Sequence, residues 1–204
     1  MKRILITGFE PFGKASLNPS GEIVKRLSGE NIVTAVLPVA YNSSATALLT
    51  LIEKHAPEIV IMLGQAEGRN QITPERIAIN LDDARIADNE GVIRTNEEII
   101  EGGPVAYKST LPVVEIVDAI RAADIPAAIS LSAGAFLCNH IFYIAQNKFE
   151  GSGVRSGFIH VPLMDEQGDE FPGLPTMPLD QMVKAIEIIH KTLEASSNFS
   201  RAST

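Results

Sequence analysis

Ser43-Ser44-Ala45-Thr46-Ala47-Leu48-Leu49-Thr50-Leu51-Ile52-Glu53-Lys54-His55-Ala56-Pro57-Glu58-Ile59-Val60-Ile61-Met62-Leu63-Gly64 reads as two elements joined by a break. From Ser43, a serine cap, to His55 the apolar residues recur at helical spacing; from Pro57 to Leu63 they run almost without interruption and stop at Gly64. A short unbroken apolar run is a strand buried on both faces, and such strands occur where helices cover both sides of a parallel sheet. The same order extends in both directions. Towards the amino terminus, Arg3 to Thr7 is a strand closed by Gly8; Asn18 caps a helix with Pro19 at its first position and Gly29 as its stop; Asn31 to Val39 is a second strand. Towards the carboxyl terminus, a helix opens at Leu111-Pro112 and runs to about Asp124. Ile125 to Ser132 is a strand, a helix resumes at Cys138, Ser156 to Leu163 is the last strand, and Leu179 to about Ala195 is a long amphipathic helix.

The regularity lapses between Gly64 and Gly91, where one short alternating strand, Pro74 to Asn80, lies inside polar loops of the kind that carry function. The stretch that follows, up to Thr110, has weak periodicity and a Gly-Gly-Pro break and reads as a turn or hairpin excursion; residues 89–108 suit an intersubunit contact or a lid. The expectation is one α/β domain over residues 1–195 and a flexible tail at 196–204.

Composition limits the function. The chain has 204 residues, 45% of them hydrophobic and 21% charged, with a net charge of −8. That is a globular composition, and the acidic balance without a Lys/Arg cluster argues against a nucleic-acid partner. No apolar run approaches the roughly 20 residues that span a bilayer, so no membrane partner is expected. A single cysteine cannot form an internal disulfide, and MKRILITG opens on a strand rather than a signal peptide; the expected compartment is the cytoplasm.

That one cysteine, Cys138, follows ISLSAGAFL and stands at a predicted helix start. There, unpaired backbone N–H groups and the positive end of the helix dipole favour a thiolate and offer an oxyanion site. A thiol nucleophile needs a base, usually histidine, oriented by a third polar group. Of four histidines, His55 lies in a last helical turn and His190 within the final helix. His140, two residues from Cys138 on the same helix, points about 200° away from it. His160, near the carboxyl end of the last strand, is where catalytic groups collect in an open α/β sheet. The orienting carboxylate with the best placement is Glu75, in the alternating TPERIAIN. On the residues alone an ion pair with Arg76 or Arg85 is the favoured reading of Glu75, while Cys138 and His160 fit a packed core as well as chemistry. No histidine pair, thiolate cage, P-loop or dinucleotide fingerprint is present, so neither a metal nor a cofactor is expected.

Three separated stretches together resemble the pyroglutamyl-peptidase family, the pyrrolidone-carboxylate peptidases of the cysteine type: TGFEPFG with NPS after it, GQAEGRNQITPERIAIN, and ISLSAGAFLCNH with GFIHVP downstream. The resemblance runs from about Lys2 to the final helix. It implies an open three-layer α/β/α sandwich around a twisted, mostly parallel sheet, a usual homotetramer, and hydrolysis of an amino-terminal pyroglutamyl residue from peptides. By position in these motifs it implies Cys138 as nucleophile, His160 as base and Glu75 as its orienting group, against the ion-pair reading of Glu75. It further implies Phe9 and Phe12 as pocket walls, Gln71 as a polar recognition group and Arg85 near the site. Flat aromatic faces and an amide suit a lactam ring. Three residues depart from the usual pattern: Glu67 for a glycine, Ala87 for a proline, and Asp165 for a proline. Glu67 alone favours the other reading, a non-catalytic or differently specific relative that binds small lactams or amides, because a carboxylate near a thiolate raises its pKa.

Overall fold

The computed structural model describes residues 2–199. Its central sheet has the strand order β2-β1-β3-β7-β4, with β1 (Ile4–Phe9), β2 (Ile32–Leu37), β3 (Ile59–Gln65) and β7 (Arg155–Val161) parallel and β4 (Thr73–Pro74) antiparallel to β7. Register places Ile4 beside both Ile32 and Ile59, and Gly64 beside His160.

Alternation along the strands divides the core into two faces. Ile4, Ile6, Ile59 and Ile61 pack with α1 (Pro19–Arg26), α3 (Val113–Arg121) and α5 (Leu179–Phe199). Leu5, Val60, Met62 and Phe158 pack with α2 (Tyr41–His55) and α4 (Leu137–Phe149). The result is the expected α/β sheet between two helical layers. It explains why the strands carry no polar alternation, since β1 and β3 are buried along their whole length.

Four expectations need correction. First, α2 begins at Tyr41 and not at a serine cap; the backbone N–H of Tyr41 donates to Oδ2 of Asp88 at 3.0 Å. A carboxylate from a distant loop thus does what a local cap usually does, and it also meets the positive end of the helix. Second, the strand expected over Pro74 to Asn80 is divided into β4 and β5 (Ile77–Ile79). The latter pairs with β6 (Ala106–Lys108), so the excursion closes as an antiparallel pair.

Third, Ile125 to Ser132 is not a continuous strand and touches the sheet at two parallel bridges, Ile72 with Ala127 and Glu75 with Ser130. The reason lies in Pro74. Bonds run from Ile72 N to Pro126 O, Ala128 N to Ile72 O, Ser130 N to Pro74 O and Arg76 N to Ser130 O. The missing rung is the one a residue-74 N–H would make, and proline has none. Fourth, α5 continues to Phe199, past the expected end near Ala195; the remainder of the expected tail, 200–204, lies outside the described residues. The chain also forms a small parallel pair that the sequence reading did not contain, β8 (Leu163–Met164) with β9 (Thr176–Met177), linked through a 3-10 turn at Asp165–Gln167.

Candidate active site

The carboxyl ends of β1, β3 and β7 lie on one side of the sheet, and α4 begins there. His160 shares the face of Phe158, two residues before it, whose side chain packs with α4; their rings are 4.8 Å apart. Cys138, the second residue of α4, sits over Gly64 of β3. A Cβ built on Gly64 would stand 2.8 Å from Cys138 Sγ and 2.7 Å from Phe158 Cζ, so only glycine lets the sulfur come this close to the strand paired with His160. Glu75 enters from the other edge. Its backbone N–H donates to Phe158 O, and its side chain is fully buried.

Nδ1 of His160 lies 2.8 Å from Glu75 Oε1. Burial alone would raise the Glu75 pKa, but hydrogen bonding and charge from His160, with help from Arg69, hold it below the ordinary value. An ionised carboxylate only accepts, so Nδ1 carries the proton and Nε2 keeps a lone pair. Burial lowers the His160 pKa, in part offset by Glu75 and reinforced by Arg69.

The sequence reading expected the helix terminus to lower the Cys138 pKa, and here it is overridden. Burial, then the Glu75 charge, push the thiol up to about 12 against the weaker pull of Arg69 and the helix start. At neutral pH the free protein therefore holds both the Cys138 thiol and the His160 imidazole in their neutral forms. At the start of α4 no side chain caps the backbone, so its first N–H groups stay free for a ligand oxygen.

Arg69 was not anticipated. Its Nη1 donates to Glu75 Oε1 at 2.6 Å and to Thr73 Oγ1 at 2.6 Å, and Nη2 donates to Ser132 O at 3.0 Å. The cation beside Glu75 is thus neither Arg76 nor Arg85. Alternation already disfavoured Arg76, since neighbouring residues of an extended chain point to opposite faces.

Beside Cys138 is an apolar pocket walled by Phe9, Phe12, Val39, Phe136 and Leu137, with Asn18 and Gln65 as its polar members. The rings of Phe12 and Phe136 stand 6.3 Å apart, and Tyr41 meets Phe136 edge-on at 5.7 Å. Phe9 and Phe12 were expected; Phe136 was missed, although its place just before the Cys138 helix was a signal. Gln71, half-buried, and Arg85, exposed on its loop, are not among the lining residues. Glu67 and Ala87 are exposed, as is Asp165 at the 3-10 turn; the charges acting on Cys138 come from Glu75 and Arg69, not Glu67.

His140 has its own partners. Nδ1 lies 2.8 Å from Asp82 Oδ2, which also accepts from Arg94 Nη1 at 2.8 Å, and the imidazole packs edge-on to Tyr41. This cluster pins the excursion loop to α2 and α4, behind the pocket.

A thiol, an imidazole and a carboxylate gathered at the carboxyl ends of parallel strands, beside a small aromatic pocket, define the class of α/β proteins with a cysteine-centred site. The chain belongs to the pyroglutamyl peptidase family, whose description matches residues 2–196. It is 46% identical over 194 residues to the pyrrolidone-carboxylate peptidase of Vibrio vulnificus strain YJ016, covering 93% of this chain and 91% of that one. Among solved structures it resembles pyroglutamyl peptidase I from Bacillus amyloliquefaciens, with 45% identity, TM-score 0.91 and 94% of each chain covered. It also resembles a mutant pyrrolidone carboxyl peptidase from the hyperthermophile Pyrococcus furiosus, with 38% identity, TM-score 0.89, and 95% of this chain and 99% of that one covered.

Proposed function

We propose that the chain is a thiol peptidase that removes an amino-terminal pyroglutamyl residue from peptides. The observation that carries this reading is the bond between His160 Nδ1 and Glu75 Oε1, which leaves Nε2 as the basic nitrogen of a residue paired with Gly64, the glycine against which Cys138 Sγ packs. With substrate in the pocket, Sγ of Cys138 attacks the amide carbon while its proton passes to Nε2. Free N–H groups at the start of α4 hold the oxyanion. The C–N bond then breaks, the imidazolium gives its proton to the leaving amine, and a thioester remains. Water attacks the thioester, losing its proton to His160, and free pyroglutamate leaves as the thiol is restored. Glu75 stabilises the imidazolium in both halves.

Phe9, Phe12 and Phe136 give the flat ring its contact area, and excluding water there strengthens every charge interaction at the thiol. We place Gln71 and Arg85 outside the ring subsite, nearer the path of the peptide. A reduced thiol nucleophile suits the cytoplasm. No helix among the described residues is long and apolar enough to cross a membrane. A homotetramer is the assembly we infer, supported by exposed Ile86 in the loop before the excursion and exposed Ile93 and Val105 on it; sedimentation of the purified chain tests it.

The experiment for the activity is cleavage of a pyroglutamyl anilide by the parent, Cys138→Ser, His160→Ala and Glu75→Gln side by side. The first two are expected to lose at least about 10³-fold in kcat and the third less. Parental rates from Cys138→Ser would sink the reading.

A further inference from the structure

Gln65, the last residue of β3, is 7% exposed, lines the pocket, and its Nε2 is buried with no hydrogen-bond partner. The other end of the same amide is engaged: Oε1 accepts from Gln167 Nε2 at 3.0 Å. The direction of that bond is forced from further out. The backbone N–H of Met164, which can only donate, reaches Gln167 Oε1 at 3.1 Å, and Leu17 O, which can only accept, receives Gln167 Nε2 at 3.1 Å. With its oxygen and one N–H so fixed, Gln167 has a single donor left for Gln65. Gln65 must answer with Oε1, so its own N–H groups turn away from Gln167, in a side chain that lines the pocket.

We infer that Gln167 is a positioning residue that sets the polarity of the ring subsite: through Gln65 it presents an N–H donor, and so selects a five-membered ring bearing a carbonyl acceptor. The inference rests on the pyroglutamyl reading above. A ring without that carbonyl leaves the Gln65 donor buried and unpaired, and a ring bearing donors in its place meets donors. Gln167 is fully buried in the 3-10 turn and lines no part of the pocket; it reaches the subsite through Gln65, while its bond to Leu17 O also braces the residue before Asn18, the other polar lining residue.

The test uses the whole chain and does not depend on turnover. Alkylation of Cys138 by iodoacetamide is slowed by whatever fills the pocket, and half-protecting concentrations are measured for 2-pyrrolidinone, the lactam, and 2-iminopyrrolidine, in which N–H donors replace the carbonyl. The parent is expected to favour the lactam at least about tenfold. In Gln167→Met, where Gln65 is free to turn, the preference falls by about tenfold; in Gln167→Glu, whose carboxylate accepts only, Gln65 turns its N–H groups towards residue 167 and the preference inverts. Equal alkylation rates without ligand check that the pocket is intact. A folded Gln167→Met that keeps the parental preference overturns the inference.

Nuclear magnetic resonance of the parent supplies a measurement that needs no variant: the Gln65 side-chain N–H signals shift on saturation with 2-pyrrolidinone, while those of Gln167 stay protected from exchange. Unmoved Gln65 signals at saturation overturn it equally. A parent that binds the lactam but cleaves no pyroglutamyl anilide leaves the inference standing and removes the peptidase reading; a parent that does neither removes both.

Discussion

Arg69 donates through Nη1 to Oε1 of Glu75, the same carboxylate oxygen that holds His160 Nδ1. A cation and an imidazole therefore compete for one acceptor, and the cation's charge lowers the pKa of His160 while the carboxylate raises it. Replacing Arg69 by methionine should move the acid limb of kcat/KM to higher pH, because the imidazole then protonates more readily, and a protonated imidazole cannot take the thiol proton. The parental limb lies below the ordinary imidazole range, since burial lowers His160. The loss of a partner for a fully buried carboxylate should also cost about 2 kcal/mol of stability, less than for a fully enclosed pair because the arginine side chain is 29% exposed. An acid limb that stays in place or moves down would sink the account.

The same pair shows how far a sequence can be read. The strands β1 and β3 were legible because each is a largely apolar run buried on both faces, and β7 through its central Gly157-Phe158-Ile159 with His160 near the strand end. The residues Cys138, His160 and Glu75 were proposed by motif, and register explains how the last two meet: Thr73 pairs with His160, so Glu75 arrives diagonally across from the imidazole. Arg69 was illegible because its role depends on a turn. Gly68, at φ +80°, reverses the loop after β3 and brings residue 69 back over β4. The Asp88 cap on Tyr41 was illegible for a related reason, as 47 residues separate donor and acceptor. The strand expected over Ile125 to Ser132 is broken into two bridges because a proline's missing N–H removes one rung without removing the extended path.

Gly64 is the second place where a small change should be decisive. A methyl group there would meet Cys138 Sγ at 2.8 Å and Phe158 Cζ at 2.7 Å, so the thiol or the buried ring must shift to admit it. Gly64→Ala is expected to lower stability by about 1–3 kcal/mol through overpacking and to reduce kcat at least about 100-fold by displacing the sulfur from the imidazole. Kinetics and thermal melts on the purified variant decide it; near-parental kcat would show that the thiol has more freedom than this packing allows.

His140 and His160 make opposite predictions despite equal burial, at 4% exposed each. His140 is spent on Asp82, which Arg94 also holds, and its ring supports Tyr41 behind Phe136. His140→Phe keeps a ring beside Tyr41 and leaves Arg94 to Asp82, so it should cost about 1–3 kcal/mol of stability. Its kcat/KM should fall less than about tenfold with an unchanged pH profile, whereas His160→Ala loses at least about 10³-fold. A profile altered in His140→Phe would assign that imidazole a part in proton transfer.

The thiol itself predicts a pH dependence of stability with a definite sign. The pKa of Cys138 in the folded chain, about 12, is raised above the ordinary thiol value of 9.0. A group raised on folding contributes stability that is fully present below the unfolded pKa and is lost as pH climbs to the folded one, because in that window the unfolded chain gives up a proton that the folded chain retains. The parent should therefore lose stability between about pH 9 and 12, by at most about 2 kcal/mol at pH 10.5 from 1.36 kcal/mol for each pH unit above 9. Cys138→Ser removes that contribution and keeps the smaller alkaline losses of Tyr41 and Tyr143, which burial also raises. Its denaturation midpoint, followed from pH 8 to 11 in urea, should decline more gently than the parent's, so that the two curves converge or cross on the alkaline side. His160 and Glu75 act at the other end: both are lowered on folding, so each loses stability as pH falls, from the ordinary imidazole and carboxylate values towards the folded ones. Cys138→Ser leaves that acidic decline in place. An alkaline decline equally steep in parent and variant would mean that the thiol is not the buried, neutral group described above, and that the helix terminus holds it as a thiolate after all.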